Sequence, residues 1–255
     1  MEPILKVEHV MQKYQALNGE VMALKDISFA AMEGEFICIV GPSGCGKSTL
    51  LSVVSGLDKP TKGEVTISGE PVCGVSPQVG YMLQQDNLLE WRSIWKNVLL
   101  GLEIQHKLTD ENLSYAESLL KDYGLYEFKD KYPSQLSGGM RQRVSLIRTL
   151  AARPKILLLD EAFSALDFQT RLSVTDDVYR ILKNEGKTAL MVTHDIPESI
   201  SMADRVLVLS CRPAEVQFVH TIEFPKTCAT PLSRRNSPEF GRYFNEIWRE
   251  LDVQA

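Results

Sequence analysis

Five consecutive apolar residues, Phe36-Ile37-Cys38-Ile39-Val40, run directly into Gly41-Pro42-Ser43-Gly44-Cys45-Gly46-Lys47-Ser48-Thr49. An apolar run without alternation suits a strand buried on both faces of a sheet, so the chain must cover that sheet from both sides. The residues after it fit the G-x-x-x-x-G-K-[ST] phosphate-loop pattern, in the required order of strand, loop and helix. In such a loop the glycines let backbone N–H groups curl around a β-phosphate, the lysine reaches the β- and γ-phosphates, and the serine hydroxyl faces Mg²⁺. Gly41, Pro42, Ser43, Gly44, Cys45, Gly46, Lys47, Ser48 and Thr49 are therefore candidate nucleotide ligands. Ser48 is also a candidate metal ligand, and a helix is expected to start near Lys47.

The strand-and-helix alternation recurs along the chain. Residues 4–10 and 21–30 read as short strands with Asn18-Gly19 as a turn signal between them, and Ser68-Gly69-Glu70-Pro71 marks another turn. Val79 to Leu83, Lys155 to Asp160, Thr188 to Thr193 and Arg205 to Leu209 read as further strands, the middle two followed by helical stretches. From Leu88 to Leu150 the apolar residues recur at helical spacing, as in Leu113, Ala116, Leu119 and Leu120, so a helical subdomain interrupts the sheet. The whole implies an α/β fold with a largely parallel sheet. Beyond Cys211 the pattern fades until Phe240, Tyr243, Phe244, Ile247, Trp248 and Leu251, whose spacings of three and four mark an amphipathic helix expected to pack on the domain.

With 255 residues, 44% of them apolar and 24% charged, the chain has globular composition and room for a substantial core. Its 33 acidic and 28 basic residues give a formal charge of -5, which argues against a nucleic-acid partner. No apolar run approaches the roughly 20 residues of a membrane span. The stretch from Met1 to His9 lacks the basic and apolar regions of a secretory signal, so the chain reads as cytoplasmic. Cys38, Cys45, Cys73, Cys211 and Cys228 include no C-x-x-C pair and are expected to be reduced and mostly buried. Cys45, inside the phosphate loop, is expected to be open to modification when no nucleotide covers it.

Two more segments bear on a bound nucleotide. The apolar run Ile156 to Leu159 ends in Asp160 and Glu161, which brings two carboxylates to the carboxyl edge of the sheet, where open α/β sheets bind ligands. Asp160 would hold Mg²⁺ through water, and Glu161 would orient or deprotonate an attacking water. Leu136-Ser137-Gly138-Gly139-Met140-Arg141-Gln142-Arg143 offers a hydroxyl and free N–H groups at a helix start, suited to a second grip on an anion. One nucleotide held by both loops implies two protein surfaces closing on it.

The phosphate loop, Gln84, the Leu136 to Arg143 segment, Asp160-Glu161, Ser164-Ala165-Leu166-Asp167 and Thr193-His194-Asp195 occur in the order seen in the ATP-binding subunits of ABC transporters. The resemblance covers about residues 4 to 220. It implies a P-loop NTPase core, mostly parallel with an antiparallel β subdomain, carrying an inserted helical subdomain: residues 1–86 and 153–220 as core, 87–152 as the helical part with the signature segment, and 221–255 as a helical tail of one ABC ATPase domain. It also implies an ATPase using ATP and Mg²⁺. Tyr14 matches the aromatic that stacks on adenine, with a plain strand-edge tyrosine as the alternative. Gln84, favoured over its neighbour Gln85 by the spacing to Leu88, Leu89 and Trp91, matches the glutamine that touches Mg²⁺ and the attacking water. His194 matches the histidine that contacts the γ-phosphate. Ser137 and Gly139, with Gly138 between them, match residues that bind the ATP of the other subunit, and Asp167 matches the aspartate that couples the two sites.

Within that family, Gln84-x-x-x-Leu88-Leu89-x-Trp91-Arg92, Phe163 to Asp167 with Gln169-Thr170-Arg171, and Leu209-Ser210-x-Arg212-Pro213 resemble the importer branch for nitrate, sulfonate, taurine and bicarbonate, which includes uptake of thiamine-precursor pyrimidines. The branch implies a dimer, expected to be a homodimer, on the cytoplasmic face of the membrane. It docks on a separate permease fed by an extracytoplasmic solute-binding protein. Two departures stand out: Glu90 where the branch has proline, and Ala162 where the family has proline after the glutamate. Ile147 and Thr149 are also bulkier than the alanines often found beside Arg148. A soluble ABC ATPase acting on nucleic acid or ribosomes, and an exporter subunit, are the alternative readings.

Overall fold

The computed structural model describes residues 2–16 and 19–252. Its strands are β1 (Leu5–Ala16), β2 (Gly19–Ala31), β3 (Phe36–Val40), β4 (Lys62–Ile67), β5 (Glu70–Pro71), β6 (Val79–Met82), β7 (Ile156–Asp160), β8 (Thr188–Val192), β9 (Arg205–Leu209) and β10 (Ala214–Thr221). They form one sheet in the order β5-β4-β1-β2-β10-β9-β3-β8-β7-β6. The run β9-β3-β8-β7-β6 is parallel throughout, while β5, β4, β1 and β2 pair antiparallel and β10 joins the two parts.

The helices are α1 (Lys47–Ser55), α2 (Ile94–Val98), α3 (Leu100–Ile104), α4 (Asp110–Asp122), α5 (Gly138–Ala151), α6 (Phe168–Asn184), α7 (Ile196–Met202), α8 (Pro231–Arg235) and α9 (Pro238–Asp252). All five residues of β3 are buried. Phe36, Cys38 and Val40 face a core shared with α5, α6 and α7, while Ile37 and Ile39 face a second core with α1 and the antiparallel strands. β7 divides the same way, Leu157 and Leu159 to one side and Ile156 and Leu158 to the other. Alternation along a strand thus builds two cores from one apolar run.

The expected turn at Asn18-Gly19 lies partly outside the described residues, since Asn18 is not among them. The two flanking strands run longer than their apolar patterning, because backbone pairing and polar cross-strand contacts carry them past the core: Lys13 Nζ lies 3.0 Å from Glu20 Oε2, and Gln15 Nε2 donates to Glu20 Oε1 at 3.2 Å. β4, β10 and the two-residue β5, which falls in the expected Ser68 to Pro71 turn, are additions to the expected strands. β4 buries only Val65 and Ile67, and β10 exposes Gln217, Phe218 and Val219 in succession, so neither has a clean period. The expectation of mostly buried cysteines is corrected: Cys38 and Cys45 are buried, whereas Cys73 and Cys211 are exposed and Cys228 is intermediate.

The expected amphipathic helix is α9. Tyr243 and Ile247 are buried in the core, Glu223 N donates to the Tyr243 hydroxyl at 3.1 Å, and His220 on β10 meets Glu250 at 2.7 Å. Trp248 stacks on Phe244 yet remains 54% exposed. Ile247→Ala is expected to cost about 2–5 kcal/mol of unfolding free energy, and Trp248→Ala less than about 1 kcal/mol. Urea denaturation of the two variants checks this, and equal costs would contradict the packing.

Candidate active site at the carboxyl edge of the sheet

Because β3, β8, β7 and β6 are neighbours and parallel, their carboxyl ends leave the sheet along one edge. The phosphate loop follows β3, Thr193-His194-Asp195 follows β8, Glu161 to Asp167 follows β7, and Gln84 lies just beyond β6. Backbone pairing continues into the site: Thr193 N donates to Ile39 O at 3.2 Å and Glu161 N to Val192 O at 3.0 Å.

In the phosphate loop Gly44 and Gly46 hold φ of +73° and +125°, and a side chain on Gly46 would lie 3.1 Å from Ala23 O. No side chain caps the start of α1, which leaves its first N–H groups available to an anion. Lys47 is only 7% exposed, and its ammonium donates to Gly41 O at 2.8 Å and Pro42 O at 3.0 Å. The Cys45 expectation is corrected here. Its Sγ turns beneath the loop into the core beside Gly41, burial raises its thiol pKa, and a neutral buried thiol is a poor nucleophile.

Asp160, at the end of β7, is reached from α1 and from β6. The Ser48 hydroxyl donates to its Oδ1 and the Tyr81 hydroxyl to its Oδ2, each at 3.1 Å. Burial raises the Asp160 pKa, with the Glu161 charge adding to it, while the two hydroxyls and Lys47 oppose. Tyr81, missed in the sequence because it sits in a short apolar strand, has its own pKa raised by burial and by Asp160. Glu161 adopts φ +46°, a left-handed conformation uncommon for a side-chain-bearing residue. Its Oε2 lies 3.2 Å from His194 Nδ1.

Gln84 reaches the same group indirectly. Its Nε2 donates to Ser164 Oγ at 3.1 Å, and that hydroxyl donates to Glu161 O at 2.9 Å. Arg171 joins Ser164 O and Leu166 O to Asp195, a connection between two sequence motifs that the spacing within either does not reveal. Tyr14 is 38% exposed, donates to Asp58 Oδ2 at 2.8 Å, and has a pKa raised by burial and by that carboxylate.

The Ser137 segment stands apart. Ser137 Oγ accepts from Met140 N at 3.3 Å and so caps α5. Gly138 and Gly139 pack on the segment after β7: side chains added there would meet Leu166 at 3.4 Å and Thr170 and Val174 at 3.0 Å. Asp167 caps α6 by accepting from Thr170 N at 3.1 Å, and hydrogen bonds from the Thr170 side chain and backbone lower its pKa. Among the described residues no hydrogen bond or ion pair joins Ser137, Gly138, Gly139 or Asp167 to the phosphate loop. Glu90 is engaged, its Oε1 lying 2.7 Å from Arg141, which also binds Asp86 at 2.8 Å. Ala162 is fully buried.

Glu198, on α7 behind this edge, is 3% exposed, and burial pushes its carboxyl up to about 7 from 4.5. Between those values the native chain keeps a proton that the unfolded chain releases, so this group's contribution is full below about 4.5 and is lost as pH rises through about 7. The loss is on the order of 3 kcal/mol. Relative to wild type, Glu198→Gln is expected to be more stable at pH 8 than at pH 5, as measured by urea denaturation; a constant difference at both pH values would contradict the shift.

The sequence matches the family described as ABC transporter over residues 24–164. It is 48% identical over 248 residues to the uncharacterized ABC transporter ATP-binding protein YtlC of Bacillus subtilis, covering 97% of this chain and 95% of that protein. It is 40% identical over 247 residues to the nitrate import ATP-binding protein NrtD of Synechocystis sp., covering 95% and 93%. The dimeric structure of the ATP-binding cassette MJ0796 in a post-hydrolysis state bound to ADP and Pi superposes with a TM-score of 0.73 at 32% identity, covering 87% of this chain and 100% of that one. With its phosphate loop, paired carboxylates and mixed sheet accounted for, this chain belongs to the ABC transporter ATP-binding family and is an ATP-hydrolysing cassette.

Proposed function

We propose that the chain powers solute import as a homodimer on the cytoplasmic face of a membrane, docked to a separate permease that receives cargo from an extracytoplasmic solute-binding protein. The solute classes proposed are nitrate, sulfonate or taurine and thiamine-precursor pyrimidines. The nitrate-import relative and the Gln84 to Arg92 pattern support the importer reading. So does the build of that segment. Trp91 is 76% exposed, yet its loop is rigid: buried Asn97 accepts from Leu89 N at 2.8 Å and donates to Arg92 O at 3.0 Å, and Arg92 pairs with Glu103 at 2.6 Å. An exposed indole on a braced turn fits a permease surface.

The contact of Glu161 with His194 beside the Asp160–Ser48 pair carries the catalytic reading. In it, Lys47 exchanges two loop carbonyls for β- and γ-phosphate oxygens, and the N–H groups of Gly44 to Ser48 line the β-phosphate. Glu161 orients and deprotonates the attacking water, Gln84 aligns it, and His194 binds the γ-phosphate. Tyr14 stacks on adenine. Ser48 and Asp160, with Gln84, would hold Mg²⁺, which when bound neutralises charge on the β- and γ-phosphates. The donor set fits such an ion: the Ser48 hydroxyl and the Asp160 carboxylate already meet at 3.1 Å, and hard oxygen donors suit Mg²⁺. Ser137, Gly138 and Gly139 serve the ATP of the partner subunit, and Asp167 links the two sites.

Glu161→Gln is expected to keep ATP binding and lose hydrolysis by about 10² or more, the scale of a lost general base. Near-normal turnover would refute the role. A mixing experiment tests the composite sites. Lys47→Ala and Ser137→Arg chains should each be inactive alone, but mixed in equal amounts they should recover about a quarter of wild-type turnover, because half the dimers hold one intact site. No recovery would exclude sites shared between subunits.

A further inference from the structure

Resting on the roles given above to Glu161, Gln84 and His194, we propose that Arg171 is a positioning residue for ATP hydrolysis, its guanidinium locking the loop after β7 to the loop after β8. NH1 meets Asp195 Oδ2 at 3.2 Å, while NH2 donates to Leu166 O at 2.9 Å and Ser164 O at 3.3 Å. Arg171 and Asp195 are both about one-quarter exposed, so water screens the pair only in part. Each end of the clamp is anchored at a residue next to a group assigned to the reaction. Ser164 receives Gln84 Nε2 and donates to Glu161 O, and Asp195 directly follows His194. Asp195 is itself fixed, its N–H donating to Thr193 Oγ1 at 3.0 Å and its Oδ1 accepting from Glu198 N at 2.9 Å. Arg171 sits in the first turn of α6, where its N–H donates to Asp167 O at 2.8 Å and Thr175 Oγ1 holds its carbonyl at 2.6 Å.

The consequence is a closed loop of contacts. Gln84 leads through Ser164 to Arg171, Arg171 to Asp195, and His194 back to Glu161. The clamp adds to the Glu161–His194 contact that joins the same two loops. Only a planar fork spans two carbonyls and a carboxylate at once. A lysine ammonium keeps the charge but loses that geometry. Placement matters because displacing catalytic groups by about 1 Å costs on the order of 10² in rate.

The test uses the full chain and compares kcat, KM for ATP and melting temperature. Arg171→Ala is expected to lower kcat by roughly tenfold or more while KM stays within about twofold, with Arg171→Lys intermediate. Millimolar guanidinium ion should restore part of the kcat of Arg171→Ala without affecting wild type. Asp195→Asn keeps a cap acceptor for α7 and removes the charge, so it should lower kcat without lowering the melting temperature; it carries the test if Arg171→Ala fails to fold. An unchanged kcat, or equal losses in kcat/KM and melting temperature without guanidinium rescue, overturns the proposal. If Glu161→Gln is inactive while Arg171→Ala turns over normally, the clamp fails and the catalytic assignment stands.

Discussion

Burial of β3 between two cores is the constraint on which the rest of the structure depends. A strand covered on both faces suits parallel neighbours connected through helices that cover the sheet, because no polar face remains to meet water. The parallel neighbours then send their carboxyl ends to one edge, so the phosphate loop, His194, Glu161 and Gln84 converge although up to 153 positions separate Gly41 from His194. The fully buried apolar residues of β3, β7, β8 and β9 stabilise this arrangement at roughly 1.5–3 kcal/mol per large side chain. An error of one residue in the register of β7 would exchange its two faces and turn Asp160 away from Ser48.

That edge is also where burial works against charge. Lys47, Asp160 and Glu198 are all taken partly or wholly from water, and each is met by polar groups: carbonyls around Lys47, hydroxyls on Asp160, and Thr193 beside Glu198. The raised pKa of Asp160 records a carboxylate whose protein partners offset desolvation only in part. A cation at that point would reverse the balance. Structural satisfaction and readiness to bind are therefore the same feature viewed with and without a ligand.

The helical part is attached to this edge through short, specific contacts. Arg141 binds Asp86 and Glu90, and Arg148 donates to Asp86 O and Asn87 O at 2.7 Å, so α5 grips the segment that follows Gln84. Glu90 departs from the branch pattern, yet it replaces a proline's rigidity with an ion pair to that same helix. Gly139 lets α5 approach Thr170 and Val174 closely, which packs the signature segment against the turn bearing Asp167.

The sequence by itself determined the strand-loop-helix unit that starts at Phe36 and the parallel strands, and it singled out the residues proposed for the site. These signals are local: an apolar run, a glycine spacing, a carboxylate pair at a strand end. It left β4 and β10 unseen, since an antiparallel strand with few buried positions has no distinctive period. Only the tertiary structure decided which way Cys45 points, that Tyr81 and Ser48 share Asp160, and that Arg171 reaches Asp195, 24 positions further on, to join two loops. Those outcomes depend on lateral strand order and register, which bring side chains together across the sheet and leave no periodic trace along the chain.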